Sequence, residues 1–247
     1  MKVLKLVTIA AALLASGVAM ADEAVVNQGK VFDANQLIPT GARLEVGTTG
    51  YGGALLWTAN PYVGLALGYN GGDISWSGDL KLNGTTYDTK MKNKLGYLNA
   101  EIRPWGTSSN RWVQGLYGAA GVGYVDTEYQ LKRNVGGSRN FTVGNTDFQS
   151  GADGFAMRGK ASYDNDIAPY VGIGWAPKIT KNIGVFGEVG AYYTGNPTAE
   201  IHAVSGTAIN TSGVNVNDAI AKEQRDLENK SKYEWLPVGK VGVSYNW

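Results

Sequence analysis

The sequence predicts an all-β fold, an eight-stranded antiparallel transmembrane β-barrel with short periplasmic turns and long extracellular loops. Three observations predict it. Apolar residues alternate with small or polar ones in segment after segment. The connections between segments are alternately short and long. The tryptophans gather at segment ends, where an indole suits a membrane–water boundary. The last strand shows the pattern most clearly. In LPVGKVGVSYNW, Val241, Val243, Tyr245 and Trp247 share one parity, and Lys240, Gly242, Ser244 and Asn246 share the other. The first set is assigned to lipid and the second to the barrel lumen. A terminal aromatic of this kind also resembles the signal by which barrel-assembly machinery recognises its clients.

The chain opens MKVLKLVTIAALLASGVAMADE, with Lys2 and Lys5 before an apolar run and Ala19-Met20-Ala21 as a small-residue cleavage site. A membrane anchor is the competing reading, but the run is too short and acidic Asp22 and Glu23 follow it. Residues 1–21 are therefore read as a signal peptide and residues 22–247 as one outer-membrane barrel domain. The chain has 22 basic and 21 acidic residues, and loss of Lys2 and Lys5 leaves it near neutrality. That balance argues against a nucleic-acid partner. There is no cysteine, so neither a disulfide framework nor a thiolate metal site is available. No metal or cofactor is expected. Glycine reaches 35 of 247 residues, about twice the usual share of roughly 7%, and it falls inside the alternating segments.

The first alternating segment runs from about Gly41 to Trp57, with a parity change near Thr49-Gly50 that is read as a β-bulge. Next come PYVGLALGYNGGDISW, then Tyr87 to Arg103, then Val113 to about Leu131. A fifth ends in PYVGIGW, a sixth begins IGVFGEVGAYY, and the seventh is the C-terminal segment. The short connections are Thr58–Pro61, Pro104–Arg111 and Ala176–Asn182. The long polar ones are Ser77–Thr86, Arg133–Arg158 and Gly195–Lys232. Trp57, Trp105, Trp112, Trp175 and Trp247 mark the short-turn end as interface anchors, with Trp76 and Trp235 at the other. Bacterial barrels have even strand numbers, so an eighth strand is expected in AVVNQGKVFDANQLI, Ala24 to Ile38. Pro169 and Pro237 are placed near the outer rim, where a missing ladder donor is tolerated. In NDAIAKEQRDLENK, Asn217 or Asp218 suits a helix cap, and the segment reads as a solvated, partly helical loop.

An eight-stranded barrel is narrow enough for side chains to fill it, so inward charges decide patency. Parity points Glu101, Arg103, Glu188 and Lys240 into the periplasmic half, and Arg43 and Glu45 nearer the outer half. One reading is an ion-pair plug that holds the barrel shut. The other is a charged constriction that selects zwitterionic or cationic solutes, with Glu45, Glu101 and Glu188 contacting ammonium groups and Arg43 and Arg103 a carboxylate. Enzyme signals are weak. His202 is the single histidine and is read as a solvated loop residue; a lipid enzyme built on it is the weakest alternative. GYNGGD is followed by no helix pattern, which argues against a phosphate loop.

GYNGGDISW, LNAEIRPWG, APYVGIGWAPKI, GVFGEVGAYYTGNP and YEWLPVGKVGVSYNW together closely resemble the CarO family, carbapenem-associated outer-membrane proteins of Gram-negative bacteria also described as ornithine uptake porins. The resemblance implies a monomeric eight-stranded barrel in outer-membrane lipid. It also implies uptake of ornithine and other basic amino acids, with carbapenems such as imipenem as associated solutes. It assigns no residue roles. A closed structural or adhesive barrel acting through its extracellular loops stands as the alternative.

Overall fold

The computed structural model describes residues 38–82 and 85–247, without the side chains of 74–86 and 164–166. The predicted signal peptide, the expected strand from Ala24 up to Leu37, and the Trp76 side chain lie outside the described residues.

Eight strands pair in a closed antiparallel ring. They are β1 (Gly41–Gly47), β2 (Gly50–Asn60), β3 (Val63–Leu82), β4 (Thr85–Ile102), β5 (Leu116–Val135), β7 (Thr146–Trp175), β8 (Ile183–Tyr193) and β10 (Trp235–Asn246). Each pairs with the next around the ring, β5 with β7 and β8 with β10, and β1 meets β10 to close it. Closure leaves no sheet edge for the bilayer to face. Two further strands, β6 (Asn140–Val143) and β9 (Thr198–Ile209), pair with the upper part of β7 outside the ring. A short helix α1 (Arg111–Gln114) sits in the β4–β5 turn, and α2 (Val216–Asn229) lies between β9 and β10.

The eight strands are found without the segment from Ala24. The stretch from Gly41 to Trp57 is two strands, because the chain reverses at Thr48-Thr49 and Gly47 pairs with Gly50. A reversal over two residues changes parity just as a bulge does, which is why the alternation alone suggested a bulge. Gly50 has φ of 101°, open to glycine but strained for other residues. The turn is bound to the neighbouring strand by Thr48 N–H donating to the Gly239 carbonyl at 2.9 Å. β1 therefore rises from the short-turn end, and β2 descends.

The outward parity carries Leu44, Val46, Leu67, Leu98, Ile173, Val189, Val241 and Val243, all exposed. In water this would be a costly apolar belt; in a bilayer it is the lipid face. At the short-turn end Trp105, Trp112, Trp175 and Trp247 are exposed and Trp57 is half-buried. Trp175 stacks on Trp112 and donates its indole N–H to the Trp112 carbonyl at 2.8 Å. Trp247 donates its backbone N–H to Thr40 at 3.2 Å, so the terminus is held in the sheet. At the other end Tyr69 and Tyr124 flank Gly96 in one cross-strand row, and Tyr193 packs on Trp235. Pro169 lies one residue beyond the last β7–β8 pair, and Pro237 lies above the last β1–β10 pair, so each sits where its strand has lost a neighbour.

The long connections are largely folded. β6 and β7 form a hairpin around Gly144 and Asn145, both left-handed at φ of 57° and 63°, as a two-residue primed turn requires. Phe141, Val143, Phe148, Phe155 and Met157 are buried there with Ile201, Ile220 and Leu227. α2 is thus docked and not solvated. Its cap is Asn215, which accepts from the Asn217 N–H, instead of Asn217 or Asp218. Ile220 and Leu227, seven apart, fall on one helix face and fill the cap core. Glu223 is fully buried beside them, accepting from the Tyr87 hydroxyl at 2.7 Å and the Gly144 N–H at 2.8 Å.

Candidate functional site: a charged network across the lumen

Alternation delivers six charged side chains to one place. Arg43 and Glu45 are two apart on β1, Glu101 and Arg103 run off the end of β4, and Glu188 on β8 stands directly across from Lys240 on β10. Arg43 Nε pairs with Glu45 at 2.5 Å, and its Nη1 with Glu101 at 2.6 Å. Arg103 Nη2 takes the other Glu101 oxygen at 2.5 Å. Lys240 Nζ lies 3.1 Å from Glu188 and 3.7 Å from Glu45. Three cations and three carboxylates form one neutral network. Every side chain in it is at most 4% exposed except Arg103, at 22%.

The structure brings all six predicted lumen residues together. It does not divide them between two halves: β1 rises from the short-turn end and turns at Thr48-Thr49, whereas one strand over Gly41–Trp57 after another from Ala24 would descend, so Arg43 sits near the periplasmic end and reaches Glu101. The aromatic members of the network were not singled out from sequence. Tyr97 donates to Glu45, Tyr117 to Glu188 at 2.7 Å, and Tyr170 to the other Glu188 oxygen at 2.7 Å. Asn70 donates to Glu45 at 2.9 Å. Lys240 lies over the Tyr97 ring at 4.2 Å and Arg43 over Phe186 at 4.6 Å. Parity was the available signal, since Tyr97 shares the side of Asn99 and Glu101.

These large side chains fit because glycines face them. A Cβ at Gly68 would overlap the Tyr97 ring, one at Gly123 the Tyr192 ring, one at Gly174 the Tyr117 ring and one at Gly190 the Tyr170 ring. Alternating large and small residues in this way fills a small barrel. It also accounts for part of the high glycine content.

Below the network lies a cavity of about 260 Å³ framed by the three short turns and the C-terminus. Arg43, Glu101 and Arg103 form its inner wall, Leu56 and Phe186 supply apolar surface, and Arg111 and Lys178 stand at its mouth. His202 is exposed on β9, in register with Arg158 and remote in topology from the lumen network.

A closed ring with an apolar exterior, aromatic ends and a charged interior defines an outer-membrane β-barrel protein of a Gram-negative bacterium. No protein-family model matches the chain, and no curated protein matches it. Among solved structures, Acinetobacter baumannii CarO is 65% identical, with a TM-score of 0.79, over 86% of this chain and 100% of that one. Acinetobacter baumannii CarO2 is 60% identical with the same TM-score and coverage. The chain belongs to the CarO family.

Proposed function

We propose that this barrel admits small basic or zwitterionic solutes, such as ornithine, other basic amino acids and carbapenems like imipenem, through a lumen closed at rest by the ion-pair network. The observation that carries the reading is the network's composition: equal numbers of cations and carboxylates span the lumen and end at a cavity open to the short-turn side. Buried ion pairs are no more stabilising than well-packed apolar groups. A barrel needing only to be filled has cheaper fillings than six ions. Groups that must swap partners with a passing ammonium or carboxylate have to be ionic. The cost of breaking the network sets a slow flux.

Radiolabelled ornithine uptake into liposomes carrying the refolded protein tests this, beside empty liposomes and a neutral pentose. Saturable ornithine uptake above both controls, reduced in Glu101→Gln and Glu188→Gln, is expected. Background-level uptake from a folded barrel overturns it. One observation favours a second reading, a closed barrel acting through its extracellular cap. Tyr97, Tyr117, Tyr170 and Tyr192 fill the lumen above the cavity, and the cap has a packed core of its own. Ligand binding without flux supports that reading.

A further inference from the structure

We infer that the cavity at the short-turn end is a binding site for the carboxylate of a small solute, with Arg103 as its anchor. The inference deepens the uptake reading by naming the solute group that this end of the lumen recognises.

Arg103 differs from the other network cations. Arg43 and Lys240 are almost completely buried and engaged on several sides. The Arg103 side chain makes one hydrogen bond, Nη2 to Glu101, and its Nε and Nη1 have no acceptor among the described residues. The Glu101 bond and the Tyr117 ring, 5.4 Å from the guanidinium carbon, fix the orientation of the group. Arg103 lines the cavity, and its Nη1 lies beside Gly64 in the same wall. A planar fork held on one side and open on the other is suited to a carboxylate.

The charge and shape of the cavity agree. Its lining contains four cations, Arg43, Arg103, Arg111 and Lys178, against one carboxylate, Glu101. Arg43 and Arg103 are matched within the neutral network, so the positive surplus comes from Arg111 and Lys178 at the mouth, on the side to which Arg103 is open. About 260 Å³ admits a molecule of amino-acid size. Gly64 keeps the space open, because a Cβ there would lie 3.0 Å from Arg103 Nη1. The class of ligand is a small monocarboxylate or amino acid; an amine lacking the carboxylate is disfavoured by the surplus charge.

Saturation-transfer NMR on the refolded protein in detergent micelles, titrated with L-alanine and with L-alaninamide, tests the site. L-alanine is expected to bind at least about tenfold more tightly than L-alaninamide, and Arg103→Gln to lose about tenfold in L-alanine affinity. Gly64→Ala, which removes no charge and crowds Nη1, is expected to weaken L-alanine as well, and it serves if Arg103→Gln does not fold. Equal binding of the two probes, or undiminished L-alanine binding in either folded variant, overturns the site. Flux does not enter the measurement: Arg103-dependent binding in a barrel that passes no solute keeps the site and removes the uptake reading. Ornithine flux indifferent to Arg103→Gln, with no alanine binding, does the reverse.

Discussion

Arg43 and Glu101 meet at 2.6 Å although 58 residues separate them in the chain. The contact crosses the lumen from β1 to β4, strands with two others' worth of wall between them. Glu101 in turn holds Arg103, so one carboxylate bridges two guanidinium groups.

That position makes the loss of Glu101 costly. Glu101→Ala leaves Arg43 buried with a charge only partly matched by Glu45. Breaking one partner from a buried pair costs about 3 kcal/mol or more. Urea unfolding in detergent, followed by tryptophan fluorescence, is expected to show that loss. A change below about 1 kcal/mol would mean that water replaces the carboxylate and that the lumen is wetter than its burial indicates.

Gly68→Ala places a methyl group into the Tyr97 ring. Overpacking of this kind costs about 1–3 kcal/mol. The test is the double variant Gly68→Ala/Tyr97→Ala, which is expected to cost less than the two single changes summed. Strict additivity would show that the ring and the glycine do not share that space.

The cap is expected to loosen without the barrel opening. Leu227→Asp puts a charge into the apolar core beneath α2. Trypsin is then expected to cut at Lys222 and Arg225 while the barrel still migrates as a folded species in unheated gel samples. Loss of the folded species at the same protease concentration would show that cap and barrel unfold as one unit.

Glu223→Ala removes the acceptor of the Tyr87 hydroxyl and the Gly144 amide. An abandoned buried donor costs about 1–3 kcal/mol. The Gly144 amide is expected to exchange with solvent faster than in the parent protein, while amides in lower β5 keep their rates. Unchanged exchange at Gly144 refutes the link between α2 and the β6–β7 turn.

The Lys230 hydrogen bond, aided by Lys222, holds the Asp226 carboxyl below its ordinary range. A lowered folded value means that the contribution is full above the unfolded value of about 3.9 and is lost as pH falls through the folded one. The group is half-buried and its lysine partners are exposed, so screening confines the effect to fraying at the end of α2. A carbon-detected NMR titration of Asp226 that gives an unshifted midpoint would show the pairs to be absent in solution.

How much of this was legible in the sequence depends on what the residues face. The lipid side of β10 was readable because Val241, Val243 and Tyr245 answer only to lipid. The Thr48-Thr49 turn was not, because Gly-Thr-Thr-Gly carries no asparagine, aspartate or proline and a bulge produces the same parity slip. The height of Arg43 in the lumen followed that error. The cap was hidden for another reason: Phe141 and Phe148 are scattered apolar residues in polar surroundings, and only the hairpin at Gly144-Asn145 brings them together. The lumen charges could be named from parity, but their partners across the barrel came only with closure.

Lys240 stands on β10, between Glu188 on the neighbouring β8 and Glu45 on β1. The seam where β1 meets β10 is therefore checked by charge. A one-residue slip of β10 would turn Lys240 toward lipid. A two-residue slip would keep it inside but move it about 7 Å along the strand, away from both carboxylates. Either mistake strands ions in a medium that penalises them. The interior thus proofreads assembly: β1 and β10 settle into one register because only that register leaves no charge unanswered.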